Sequence, residues 1–156
     1  MELFLKDESS TYKLGRSIAK IVEKMGFCPF LFQGELGTGK TTLIKAIVKN
    51  LKGGEKAEVS SPSFNIFNIY PTVPETIHID LYRCSDDLEE EIFEYLYSDE
   101  FFVLLEWPDH LPKELWPEEY LLFLLKFDHE GRKVSFVWEG EKAKRLCREI
   151  FSSYPF

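Results

Sequence analysis

Within the nine residues GELGTGKTT stand Gly34, Gly37 and Gly39, followed directly by Lys40, Thr41 and Thr42. The spacing Gly34-x-x-x-x-Gly39-Lys40-Thr41 is that of a phosphate-binding loop. Glycines let the main chain take φ > 0 and approach phosphate oxygens closely. Successive N–H groups then form a concave anion nest, and a helix N-terminus adds its dipole to the attraction. Lys40 supplies a mobile positive charge for β- and γ-phosphates, and the Thr41 hydroxyl suits Mg²⁺. Thr42 can offer its backbone N–H to an α-phosphate. A chance match arises about once in a few hundred chains of this length. An apolar run before the loop and a helical pattern after it make chance rarer still.

Such a loop by itself only binds. Hydrolysis or phosphoryl transfer also needs a carboxylate at the end of a neighbouring strand, to hold Mg²⁺ or its water and to orient a nucleophile. Glu106 ends the apolar run FFVLLE, and Asp80 sits at a strand end in IHIDLYR. Ligands of open α/β sheets collect at the carboxyl ends of strands, so both acids are expected at one metal. Their individual roles are not separable at this level. Trp107 fits either a nucleotide or partner contact or a core position, and Arg83 either a phosphate or a helix acid. His78, His110 and His129 lack metal-ligand spacing; His78 reads as a structural strand residue, the others as loop residues. Ser60, Ser61 and Ser63 surround Pro62. Composition alone makes this a solvated turn, although nucleotide-sensing loops occupy that place in the chain.

The elements that must position these groups follow from periodicity. Strands are expected at 2–6, 28–33, 64–70, 76–82, 101–106, 118–128 and 132–139. Helices are expected over 8–25 with Asp7 as cap and Gly26 as stop, over 40–52, over 86–97 with Asp86 or Asp87 as cap, and over 140–151. The turn HEG joins the last two strands into an antiparallel pair. Buried strands alternating with helices predict an α/β fold of the P-loop NTPase-like class. Its mostly parallel sheet is flanked by helices and carries an antiparallel edge. Residues 1–156 are read as one domain.

Bulk properties narrow the function. A chain that is 44% hydrophobic, with 14 Phe, is globular and not a disordered tail. The net charge of −8 argues against a whole-domain binder of nucleic acid or membrane, whose phosphates select positive faces. Cys28, Cys84 and Cys147 are widely spaced and read as reduced core thiols. MELFLKDESS is no secretory signal, and YLLFLL is too short to span a bilayer, so a cytoplasmic protein is expected.

In chain order, GELGTGKTT, SSPSFNIFNIY, IHIDLYR and LLEWP, with GRKV as a weaker match, resemble the bacterial TsaE (YjeE) family of small P-loop ATPases. That family acts in making the threonylcarbamoyladenosine modification of tRNA, and the resemblance runs over nearly the whole chain. It implies a Mg²⁺-dependent ATPase, weak alone, serving ANN-decoding tRNAs. ATP would lie on Gly37, Thr38, Gly39, Lys40, Thr41 and Thr42, with Asp7 and Arg132 aligning loosely with positions near the adenine end. Thr41, Glu106 and Asp80 would serve Mg²⁺, with Lys40, Asp80 and Glu106 in catalysis. Ser61, Pro62 and Ser63 would form a switch loop, which replaces the reading as a plain turn. The implied partners are TsaD-like and TsaB-like proteins, with tRNA reached through their complex and no membrane involved. Two rivals share the loop. A small-molecule kinase would normally carry an arginine-bearing lid, for which no insertion exists; a non-hydrolytic module would use ATP only to order the serine loop.

Overall fold

Four short apolar runs form the centre of one sheet in the computed structural model, which describes residues 1–62, 66–84 and 88–154. The strands are β1 (Glu2–Leu5), β2 (Phe30–Gln33), β3 (Phe67–Tyr70), β4 (Thr76–Asp80), β5 (Phe102–Glu106), β6 (Tyr120–Asp128) and β7 (Gly131–Glu139). The helices are α1 (Glu8–Met25), α2 (Lys40–Asn50), α3 (Glu90–Leu96) and α4 (Glu141–Ser153). Spatial order is β1-β7-β6-β2-β5-β4-β3. The central strands β6, β2, β5 and β4 are parallel. Antiparallel pairs close both sides, β3 beside β4 and the β6–β7–β1 run at the other end. The expected fold class is therefore met, with antiparallel pairing at two edges instead of one.

Alternation along the strands divides the core. Phe30, Phe32, Phe102, Leu104 and Phe123 pack with α1, α2 and α4 on one face. Leu31, Ile77, Ile79, Val103 and Leu105 pack on the other with Ile92 and Leu96 of α3. Phe30, Phe32, Phe102 and Phe123 are wholly buried, and each contributes roughly 1.5–3 kcal/mol. Phe32 stacks on Phe123 with ring centroids 4.8 Å apart, and Phe30 meets Phe102 edge-on at 5.0 Å. These rings anchor β2, the strand that feeds the glycine loop.

Some ends shift for local reasons. The strand expected over 76–82 stops at Asp80, because Asp80 Oδ1 accepts the Tyr82 N–H at 2.9 Å and turns the chain. The helix expected from 86 begins its regular turns at Glu90, and its proposed caps Asp86 and Asp87 lie outside the described residues, as does Ser63. Asp7 caps α1 as expected, accepting from Ser10 N at 2.8 Å. Burial pushes the Cys28 and Cys147 thiols up to about 12 and about 11, as suits core thiols, and none of the three cysteines forms a disulfide. No described helix is long and apolar enough to cross a membrane.

Helix α2 is held in place by a close crossing with α1. A Cβ built on Gly15 would collide with Ala46 Cβ and lie 2.9 Å from the Ala46 carbonyl carbon. Because backbone as well as side chain obstructs it, Gly15→Ala must push the helices apart. The expected cost is about 1–3 kcal/mol, a fall in Tm of roughly 3–10 °C. An unchanged thermal melt would show that the crossing has slack.

Candidate functional site

Between the end of β2 at Gln33 and the start of α2 at Lys40, the glycine loop turns back on itself. Gly37 and Gly39 have φ of 81° and 100°, the left-handed region that favours glycine. Gly34 is required for space: a Cβ there would sit 2.5 Å from Leu125 O and 2.8 Å from Thr38 Oγ1. Thr38 is buried and donates its hydroxyl to Glu35 O at 2.8 Å, so it braces the loop from inside. Gly39 is the N-cap of α2 and has no side chain to cap it. The first-turn N–H groups therefore remain open for an anion.

Lys40 lies along the loop. Its Nζ donates to Gly34 O at 2.5 Å and Glu35 O at 2.9 Å, and it sits 4.3 Å from the centroid of the Trp107 ring. Burial lowers the Lys40 pKa, while Glu106, Asp80 and Asp109 act in the opposite direction. The ammonium is thus partly desolvated and surrounded by acids.

The two strand-end acids converge. Parallel pairing of β4 with β5 sets Asp80 opposite Glu106 in register. Glu106 is 2% exposed. Its Oε1 accepts from Thr41 Oγ1 at 3.0 Å, and its Oε2 lies 2.6 Å from His78 Nε2. Thr41 Oγ1 is also 3.0 Å from Ser61 Oγ. Asp80 is more open, with one oxygen engaged by Tyr82 N. Burial raises the Asp80 pKa; the Tyr82 N–H pulls it down, Glu106 adds to the rise, and His78 and Lys40 oppose it.

These groups line one cleft of about 630 Å³, within the usual range for small-molecule sites. Gly37, Gly39, Lys40, Thr41 and Thr42 line it, as do Ser61, Pro62, Asp80 and Glu106. Arg132 reaches it from β7, donating from Nη2 to Gly37 O at 3.2 Å. Asp7 does not line the cleft; its carboxylate is committed to capping α1, and Glu8 and Thr11 of the same turn line the wall instead. Arg83 also lines it.

Trp107 lines the cleft and also packs against the core on the α3 face. It takes φ 61° and ψ 51°, unusual for a bulky side chain. The turn places its ring over Lys40 and beside Tyr82 and His110, at centroid distances of 4.9 and 5.2 Å. His110 is anchored by a contact of 2.9 Å from Nδ1 to Leu81 O. The residue that sequence reasoning missed is His78. Its signal was present in the alternation of His78 and Asp80, which puts both on one sheet face, but its partner Glu106 is 28 residues away.

The donor set fits Mg²⁺. A hydroxyl and two carboxylates are hard oxygen ligands, and Mg²⁺ characteristically uses one or two carboxylates together with water and phosphate. Among the described residues no group of three or more His, Cys, Asp or Glu forms an all-protein metal cage.

A glycine loop between a buried parallel strand and a helix, faced by acids from the ends of two further parallel strands, defines a P-loop NTPase-like α/β protein. The crystal structure of Bacillus subtilis YdiB shares this fold, with a TM-score of 0.74 at 22% identity over 97% of this chain and 94% of that one. The chain belongs to the TsaE family, whose sequence model, "Threonylcarbamoyl adenosine biosynthesis protein TsaE", matches residues 5–134. That span contains the glycine loop, both acids and Arg132. The tRNA threonylcarbamoyladenosine biosynthesis protein TsaE of Aquifex aeolicus is 36% identical over 135 residues, covering 85% of this chain and 92% of that protein. The protein of the same name from Bacillus subtilis is 32% identical over 120 residues, 76% of this chain and 74% of its own. The family read from the motif order is thereby met, and its role lies in tRNA threonylcarbamoyladenosine biosynthesis.

Proposed function

We propose that residues 1–156 act as one Mg²⁺-dependent ATPase domain in the cytoplasm, working with TsaD-like and TsaB-like partners on ANN-decoding tRNAs. The observation that carries this reading is the 3.0 Å contact between Thr41 Oγ1 and Glu106 Oε1 at the head of the glycine loop. It joins a metal-ligating hydroxyl to a buried strand-end carboxylate, the pair that phosphoryl chemistry requires.

Each residue has a role in that reading. The loop amides and Lys40 stabilise charge on the transferred phosphoryl group. Thr41 and Glu106 hold Mg²⁺ directly or through water, with Asp80 as further ligand or as the group that positions attacking water. When bound, Mg²⁺ supplies charge neutralisation and alignment of the phosphates. Arg132 holds the loop at Gly37 and lines the nucleotide cleft. Ser61, hydrogen-bonded to Thr41, ties the serine loop to the metal site, which supports its reading as a switch. The acidic balance of −8 suits a subunit that leaves RNA handling to its partners.

The test is ATP hydrolysis by the chain alone, with the TsaB–TsaD-like pair, and with the pair plus tRNA. Slow release of phosphate alone and faster release with partners is the expected result. Nucleotide-dependent complex formation without hydrolysis in any mixture would replace the ATPase with a binding switch. Phosphate appearing on an added metabolite would replace it with a kinase.

A further inference from the structure

His78 lies in the middle of β4 and is wholly buried. Among the described residues, the one hydrogen-bonding partner of its side chain is Glu106, at 2.6 Å from Nε2 to Oε2. A carboxylate only accepts, so Nε2 carries the proton. Nδ1 is buried with no hydrogen-bond partner among the described residues. An orphaned polar atom in a core is a cost that an apolar side chain would avoid. A residue present only to fill space would therefore be poorly chosen.

The contact divides Glu106 in two. Oε2 is held by His78, and Oε1 is left facing Thr41. A carboxylate with one free rotation could otherwise present either oxygen, or lie between orientations. The His78 backbone is held in register against Asn68 of β3, and the imidazole lies beside the Tyr70 ring, with centroids 6.3 Å apart. Short charge-assisted bonds of this kind lock a ligand's orientation from behind.

We infer that His78 is a positioning residue, whose Nε2–H holds Glu106 so that Oε1 is aimed at Thr41 and the metal position. This rests on the Mg²⁺-dependent ATPase reading above. It acts through Glu106 and touches neither nucleotide nor metal.

Three variants of the chain test it. In His78→Gln the side-chain amide reaches about as far as Nε2 and still donates; the Nδ1 position, which has no partner among the described residues, is lost. In His78→Asn the amide stops about one bond short, and His78→Leu has no donor. Two measurements are made on each: kcat and KM for ATP hydrolysis, and the Mg²⁺ concentration that half-saturates binding of a fluorescent ATP analogue, read without turnover. The Gln variant should stay within about 3-fold of wild type in both. The Asn and Leu variants should lose about 10–100-fold in kcat. Their KM should change by less than about 3-fold, and their Mg²⁺ midpoint should rise about 10-fold.

If Asn and Leu match wild type, or if Gln falls as far as Leu while thermal melts show all three folded, the inference is overturned. Should the Leu variant fail to fold, the Gln–Asn comparison decides, and equal behaviour of those two rejects it. A Glu106→Gln control separates the two readings. Hydrolysis lost in that control but unchanged across the His78 series defeats the positioning role alone. A wild-type chain that hydrolyses no ATP, with or without partners, defeats both.

Discussion

Lys40→Ala is expected to reduce ATP hydrolysis by about 10²–10³-fold, the loss typical of a preorganised charge at a transition state. This corresponds to roughly 3–4 kcal/mol of barrier. The effect should appear in nucleotide affinity as well, since the same ammonium faces ground-state phosphates. The fold should survive. Lys40 is buried, but its Nζ contacts are Gly34 O and Glu35 O in the loop and the face of Trp107, and it fills no part of the apolar core. The ammonium is already held under a desolvation penalty, so its removal also relieves a cost. The expected shift in Tm is a few degrees, in line with a change of about 1 kcal/mol. Phosphate release and a thermal melt on the same preparation check both parts. Wild-type turnover in a folded variant would refute the assignment of Lys40.

Glu106→Gln is expected to abolish most hydrolysis, by about 10²–10³-fold, while nucleotide binding stays within a few-fold of wild type. Glutamine is the informative substitution, because it keeps the shape of the side chain and an oxygen for His78. Alanine would confuse the result. It would leave the His78 Nε2–H buried without a partner, a penalty of about 1–3 kcal/mol against the fold itself. Asp80→Asn provides the contrast. Asp80 does not share the Thr41 contact and has one oxygen in the turn to Tyr82. Its effect on the Mg²⁺ requirement should therefore be the smaller. Parallel measurements of phosphate release and fluorescent-nucleotide binding distinguish the two acids. An undiminished rate for Glu106→Gln, alone and with partners, would remove this carboxylate from the chemistry.

Most of the candidate site is legible in the sequence. Gly34, Gly37, Gly39, Lys40 and Thr41 are neighbours in sequence, and their chemistry depends on local backbone geometry that glycine spacing encodes directly. Glu106 and Asp80 could be placed at strand ends from the apolar runs before them. What periodicity could not say was which strand lies beside which. The assignment of Glu106 to Thr41 depends on β2 pairing with β5, and β5 with β4. His78 was passed over because a lone histidine in a strand has no local partner to signal a role. Asp7 was read both as a cap and, through resemblance, as a nucleotide residue; its capping bond is local and clear, while the cleft wall is made by Glu8 and Thr11.

The sequence by itself determined the loop, the order of strands and helices, the fold class and the family. All of these rest on short-range periodicity, on glycine's freedom at positive φ, or on motifs read in order. Tertiary structure alone decided that Glu106, His78 and Thr41 meet, that Trp107 covers Lys40, and that Arg132 from the far hairpin reaches Gly37. Those contacts join residues from 28 to 95 positions apart. Strand order and register create them, and no local pattern of residue types carries that information.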